Sequence, residues 1–296
     1  MDFQHLRRSW EVFAATDPLH AIVTAPGKYG NRWDRDEFFG LGRREVDEVF
    51  ADLARHGLDP PRGRALDFGC GVGRLTRFFA DRFETAVGVD ISSRMVELAR
   101  EFAPTAGGPI YVHNPREDLA LFADGSFDFV FSTLVLQHMR PDYAMNYVRE
   151  FLRLIDPDGV VMFALTNHTP EEEPSPAPDA AGTGATPGWR TRSRGLLSLA
   201  RNGAARGTTQ ARMHVGAAVR GFERKIYGTG HRPADLEWRP VEQDDFVATM
   251  EMYAVPVEEV VRTISAAGGV VTAVDDLPFV PDYEAKMYYA RREPRS

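Results

Sequence analysis

The residues that carry chemistry cluster early in the chain. Residues 65–75 read ALDFGCGVGRL, and Asp90 follows in GVDIS. Gly69, Gly71 and Gly73 carry no β-carbon, so the backbone there can bend sharply and approach a ligand closely. Asp67 stands just before this turn. Asp90 is placed to accept hydrogen bonds from ribose hydroxyls, as an acid ending a second strand does in open α/β sheets. A dinucleotide fingerprint, G-x-G-x-x-G, would put its third glycine at position 74, which is Arg74. A carboxylate at position 67 would also repel a pyrophosphate, whereas it can help to hold a cationic amino-acid headgroup.

These residues need strands that end at one edge. The apolar run over Arg64–Phe68 predicts the first strand, and Leu75, Phe78, Phe79 and Phe83 recur at helical spacing after the turn. Ala86–Asp90 predicts the second strand. Ser92 or Ser93 caps a helix carrying Met95, Val96, Leu98 and Ala99. A third strand is expected near Pro109–Val112. Phe127–Ser132 predicts a buried fourth strand after a DGS turn, whose end delivers Thr133, Leu134, Gln137 and His138 to the cleft. A helix over Tyr143–Leu154 follows, then DPDG at 156–159 as a turn into strand five, VVMFALT. Upstream, Val46, Val49, Phe50 and Leu53 predict a helix ended near Gly57. The segment PGKYGNRWDRDEFFGLG before it is rich in turn residues and aromatics. Val257–Ala267 reads as an amphipathic helix ended by Gly268 and Gly269, with closing strands at Val270–Val274 and Met287–Ala290.

The pattern D-x-G-x-G-x-G with its later Asp90 resembles motif I of the class I S-adenosylmethionine (SAM) methyltransferases. The strand-four run and the DPDG turn are also similar to their counterparts there. The resemblance covers about 63–166 strongly and 250–292 moderately. It implies an α/β, Rossmann-like fold: seven mostly parallel strands with an antiparallel last strand, a helical N-terminal extension and a lid insert after strand five. The implied organisation is an extension over 1–62, a SAM-binding core over 63–166, an insert over 167–249 and a closing unit over 250–296. The extension often folds over cofactor and substrate in that family, which makes Tyr29, Trp33 and Phe39 lid candidates.

SAM is the implied cofactor. Asp67, Gly69, Gly71 and Gly73 should line its methionine end, and Asp90 should hold the ribose. At the adenine side the sequence departs from the family's pattern: Pro115 stands where many relatives have an acid. Asn114 can both donate and accept hydrogen bonds and is the first choice there, with Glu117 and Asp118 as alternatives. Thr133 and Leu134 are expected to add backbone contacts and packing. An acceptor hydroxyl or ammonium must lose a proton, which a positioned histidine can take. His138 is the first candidate base and His168 the second; Tyr143 and His113 are weaker. The expected activity is methyl transfer to a small molecule, oxygen before nitrogen, in natural-product or glycan biosynthesis. The alternative is a SAM-fold enzyme with a non-methylating reaction such as cyclisation.

Composition bounds the rest. The chain has 296 residues, 43% of them hydrophobic, with a net charge of −8 and one cysteine, Cys70. One cysteine allows no internal disulfide, and no His/carboxylate cluster has metal spacing, so no metal is expected. No apolar run approaches the ~20 residues of a membrane span, and the N-terminus lacks a signal-peptide core. A cytoplasmic protein is expected. Arg190 to Lys225 holds nine Lys/Arg against one acid, Glu223, while the remainder holds 26 basic and 42 acidic side chains. That basic insert is a possible handle for an anionic partner. Nucleic acid is not expected, because the body is acidic and the insert has few interleaved aromatics. Before it, residues 169–188 contain five prolines and little that could pack.

Overall fold

The computed structural model describes residues 1–103, 108–168, 241–243, 246–278 and 284–293. The proline-rich stretch and the basic stretch of the insert lie outside the described residues. The chain begins with three helices, α1 (Phe3–Thr16), α2 (Pro18–Ile22) and α3 (Arg35–Arg55). It continues as β1 (Arg64–Phe68), α4 (Thr76–Phe79), β2 (Thr85–Asp90), α5 (Ser93–Phe102), β3 (Ile110–His113) and β4 (Phe127–Ser132). A 3-10 turn (Leu136–His138), α6 (Pro141–Leu154) and β5 (Ile155–His168) follow. The last elements are β6 (Val241–Gln243), β7 (Phe246–Ala248), α7 (Val257–Ala266), β8 (Gly269–Pro278) and β9 (Glu284–Arg292).

One seven-stranded sheet has the order β3-β2-β1-β4-β5-β9-β8. Neighbours among β1 to β5 pair in parallel, and β9 pairs antiparallel to both β5 and β8. The order reverses between β1 and β4, which opens a crevice at their carboxyl ends. Side chains alternate across the strands. Leu66, Val87, Val130, Val161 and Tyr288 face α6 and α7. Ala65, Ala86, Phe129, Met162 and Tyr289 face α3 and α4, meeting Val46, Val49, Leu53 and Phe79. Among the described residues, no helix is long and apolar enough to cross a membrane.

Three local expectations are corrected. The DPDG run is not a turn ahead of strand five: β5 already begins at Ile155. Ile155 pairs with Phe127 and Val160 with Phe129, so four residues oppose one in a bulge. The Asp156 carboxylate closes it by accepting from the Asp158 N–H at 3.1 Å. Second, the helix after the glycine turn is a single turn, Thr76–Phe79, flanked by turn residues. Third, the DEFFGLG half of the presumed turn segment is helical, because α3 starts at Arg35 with the Asp34 side chain accepting from the Glu37 N–H. Gly42 sits inside that helix because α3 crosses Arg74 there: a β-carbon would lie 2.4 Å from the Arg74 carbonyl oxygen. The capping residue of α5 is Ser92, whose hydroxyl accepts from the Met95 N–H.

Candidate functional site

The turn between β1 and α4 is built from left-handed glycines. Gly69, Gly71 and Gly73 have φ of 73°, 53° and 77°, which side chains with a β-carbon rarely adopt. The surroundings are also tight. A β-carbon on Gly69 would come within 2.3 Å of Val135, and one on Gly73 within 2.1 Å of the Tyr111 hydroxyl. The Gly69 and Cys70 N–H groups donate to the Val89 carbonyl, so the turn is stitched to the end of β2. Cys70 packs with Val96, Ala99 and Tyr111. Burial pushes its thiol well above the ordinary range, which disfavours a nucleophilic thiolate.

Asp90 completes the stitch. Its carboxylate accepts from the Gly71 N–H at 2.8 Å and from the Ser92 N–H at 2.9 Å. Burial pushes its carboxyl up to about 6, against the pull of those two amides. The Asn114 N–H donates to the Asp90 carbonyl, and the Asn114 side-chain amide donates to the Asp118 carbonyl. Asn114 is therefore buried beside Asp90, with its side-chain oxygen left to accept. Glu117 is exposed, and Asp118 is bound to Arg116 at the surface. Of the adenine-side candidates, only Asn114 is buried, and its N–H bonds the end of β2.

Asp67 lies at the end of β1, 4% exposed, and accepts from the Thr76 hydroxyl at 2.6 Å. Burial pushes its carboxyl up to about 7, opposed by that hydrogen bond and by Arg74. Arg74 does not serve the turn as an anion binder. Its guanidinium is 4% exposed and paired with Glu45 of α3 at 2.7 Å. A buried carboxylate at Asp67 and a half-buried one at Asp90, with Arg74 paired to Glu45, form an acceptor set for hydroxyls and an ammonium, and a poor site for a pyrophosphate. The residues present thus fit SAM.

The raised Asp67 has a stability consequence. A carboxyl raised from 3.8 to about 7 stabilises the fold while protonated. That contribution is present below its ordinary range and is lost as pH rises through 7. Asp67→Asn keeps an oxygen for Thr76 and removes the buried charge. Without cofactor at pH 8 it should melt ~2–5 °C higher than wild type, with the gap closing toward pH 5. A lower melting temperature at pH 8 would show that the carboxylate is well solvated after all. If Asp67 faces the cationic end of SAM, as the sequence pattern implies, the same variant should also bind SAM more weakly.

Beyond β4 the chain turns out through Thr133 and Leu134, both half-buried. Leu134 has φ of 60°, a left-handed conformation that a leucine holds only when its surroundings impose it. Four residues later His138 is 8% exposed. Its Nδ1 lies 3.1 Å from the Glu251 carbonyl, which can only accept. Nδ1 therefore carries the proton, and Nε2 presents a lone pair. Trp10 of α1 meets the His138 ring edge-on at 5.7 Å. Burial pushes the imidazole down to about 4. The other candidates stand apart from this arrangement. His168 is exposed at the end of β5, opposite Glu284 of β9. His113 bonds the Ile91 carbonyl near the surface, and Tyr143 packs against Phe3 and Arg140. Among the described residues no group of three or more His, Cys, Asp or Glu could hold a metal ion.

The N-terminal helices form a cap over the turn. Ile22 at the end of α2 lies against Gly71, where a β-carbon would fall 2.6 Å from its Cδ1. Asp17 braces the following loop, accepting from the Gly30 and Asn31 N–H groups. Trp33 and Phe39 are packed with Val72, Met95 and Leu98, and Tyr29 meets His20 edge-on at 5.4 Å. Phe246 and Ala248 of the β6–β7 pair pack on Val12 and Phe13. Thr76, Ile22 and the Glu45–Arg74 pair carry no local sequence signal, since each acts through a contact distant in the chain.

Comparison with known proteins agrees with this geometry. Residues 66–163 match the family described as "Methyltransferase domain". The 2-methyl-6-phytyl-1,4-hydroquinone methyltransferase of Synechocystis sp. is 33% identical over 150 residues, covering 50% of this chain and 45% of that protein. The ubiquinone biosynthesis O-methyltransferase of Paracidovorax citrulli is 37% identical over 114 residues, covering 38% and 47%. The chain thus spans about half the length of these curated relatives. A SAM-dependent methyltransferase structure from Leishmania major superposes with a TM-score of 0.52 at 13% identity, covering 97% of this chain and 83% of that one. One from Clostridium acetobutylicum gives 0.50 at 14% identity, covering 86% and 92%. These two show the fold.

Proposed function

We propose that this chain, whose residues 66–163 match the family described as "Methyltransferase domain", is a class I methyltransferase that uses SAM as cofactor and methylates a small-molecule acceptor. Oxygen is the favoured acceptor atom and nitrogen the next, in natural-product or glycan biosynthesis. The observation that carries the reading is the pair of carboxylates at the left-handed glycine turn, Asp67 buried before it and Asp90 half-buried and held by the Gly71 N–H. The names of the relatives, a 2-methyl-6-phytyl-1,4-hydroquinone methyltransferase and a ubiquinone biosynthesis O-methyltransferase, support a small-molecule acceptor.

Each residue then has a task. Asp90 accepts from the ribose hydroxyls while its backbone partners fix it. Asp67 faces the cationic amino-acid end. The Asn114 side-chain oxygen accepts from the adenine amine, and Thr133 and Leu134 wall the adjoining side. SAM, when bound, supplies an electrophilic methyl group on a positively charged sulfur. The protein's share is alignment and exclusion of water, to which the cap over Gly71 and His138 contributes. His138 Nε2 takes the acceptor's proton, its tautomer fixed by the Glu251 carbonyl.

The test is calorimetric titration of the purified chain with SAM and S-adenosylhomocysteine (SAH), followed by a screen for SAH formation with candidate phenols, sugars and amines. Micromolar binding of both, with SAH released only when an acceptor is present, is the expected result. Binding without SAH formation on turnover of substrate would favour a non-methylating reaction such as cyclisation. No binding of either would overturn the reading.

A further inference from the structure

The N-terminal half of α5 holds a second carboxylate besides Asp90. Glu11 of α1 accepts from the Ser92 hydroxyl at 2.8 Å, from the Ser93 N–H at 2.7 Å and hydroxyl at 2.9 Å, and from the Arg94 N–H at 3.2 Å. Burial works against its charge. The Ser93 N–H, the Ser92 hydroxyl, the Arg94 N–H and the Ser93 hydroxyl outweigh that and hold the carboxyl below its ordinary range. An ionised carboxylate on the first N–H groups of a helix also complements the helix dipole. These four contacts join positions more than eighty residues apart in the chain.

The location gives this clasp its meaning. Ser92 donates its N–H to Asp90 and its hydroxyl to Glu11, so the ribose loop and α1 meet at one residue. Next to Glu11 in the chain, Trp10 lies edge-on to His138. One helical turn beyond α1, Ile22 rests on Gly71. The cap therefore touches the glycine turn, the ribose loop and the candidate base together. Beside this apolar packing, Glu11 supplies the side-chain hydrogen bonds that tie α1 to the start of α5.

We propose that Glu11 is a positioning residue that latches the N-terminal cap and sets the rate of cofactor exchange. The inference rests on the reading of the turn as a SAM site. The latch closes onto α5 and not onto the cofactor, so it forms alike in the free and bound protein. Weakening it raises the open fraction of both. Association and dissociation then speed up together, and the equilibrium affinity hardly moves. A residue that merely shaped the ribose loop would instead change the affinity.

The experiment follows SAH binding to the full chain by stopped-flow tryptophan fluorescence, Trp10 and Trp33 lying in the cap. Wild type, Glu11→Ala and Glu11→Gln are compared, with calorimetry for Kd and a thermal melt for folding. Glu11→Ala should raise both rate constants at least about tenfold while Kd shifts less than about twofold, tenfold being the loss expected for one charge-assisted hydrogen bond. Glu11→Gln keeps one acceptor oxygen, folds more securely and should show the same pattern at about threefold. Hydrogen exchange without ligand should quicken across residues 3–22 and stay unchanged in α6. Unchanged rates and exchange would overturn the latch, as would a raised Kd with unaltered association. If wild type binds no SAH, the cofactor reading falls, and the exchange pattern alone decides the latch.

Discussion

Replacing Asp90 by alanine should weaken SAM and SAH binding at least about a hundredfold by calorimetry. Two ribose hydroxyls lose a charged acceptor, and each such hydrogen bond contributes about 1.5–3 kcal/mol. The loss reaches the turn as well, because the Gly71 and Ser92 N–H groups lose their partner. Asp90→Asn keeps one oxygen and should fall between the two. A pH dependence separates this role from general disruption. Burial pushes the Asp90 carboxyl up to about 6, and only the ionised form accepts on both oxygens. Affinity should therefore rise as pH climbs through 6 and 7 in wild type, whereas in Asp90→Asn the limb near 6 is lost and only the Asp67 limb near 7 remains. Wild-type affinity in a folded Asp90→Ala would move the ribose contact elsewhere.

The legible part of this protein was the part whose signals are local. The glycine turn, the Ser92 cap and the apolar runs of β1, β2 and β4 all declare themselves within about ten residues, and their placement followed. What stayed hidden depends on distant contacts. Gly40 and Gly42 lower helix propensity and made the start of α3 read as turn. Yet Gly42 is needed inside the helix, because the Arg74 backbone passes against it. DPDG has turn residues, yet its strand neighbours on both sides pair with β4 and carry it as a bulge. The cap was foreseen only as a tendency of the resembling family. Nothing in the N-terminal sequence marks Glu11 or Ile22 as partners of residues 49 to 83 positions away. Of the site, the acids and glycines came from spacing, whereas the spent amide and remaining oxygen of Asn114 needed the fold.

His138→Ala should lower turnover by about 10²–10⁴-fold, the usual range for a lost general base, with SAM affinity unchanged. A buried histidine tethered to a carbonyl invites the plainer reading of a structural tie, so the variant series must tell the two apart. Asparagine reproduces the Nδ1 side of the ring: its amide can donate to the Glu251 carbonyl, but nothing stands at Nε2. If His138 only ties the chain down, His138→Asn restores turnover. If Nε2 takes the proton, His138→Asn is as slow as alanine although its melting temperature recovers. The pH profile adds a second check. Burial pushes the imidazole down to about 4, and the base acts when neutral. At saturating SAM, turnover should stay level from pH 9 down to about 5 as far as this group is concerned, and fall only toward 4. The limb near 6 to 7 belongs to Asp90 and Asp67 and should show in kcat/KM for SAM rather than in kcat. Full turnover in His138→Asn, with loss in His168→Ala, would transfer the base role to the end of β5.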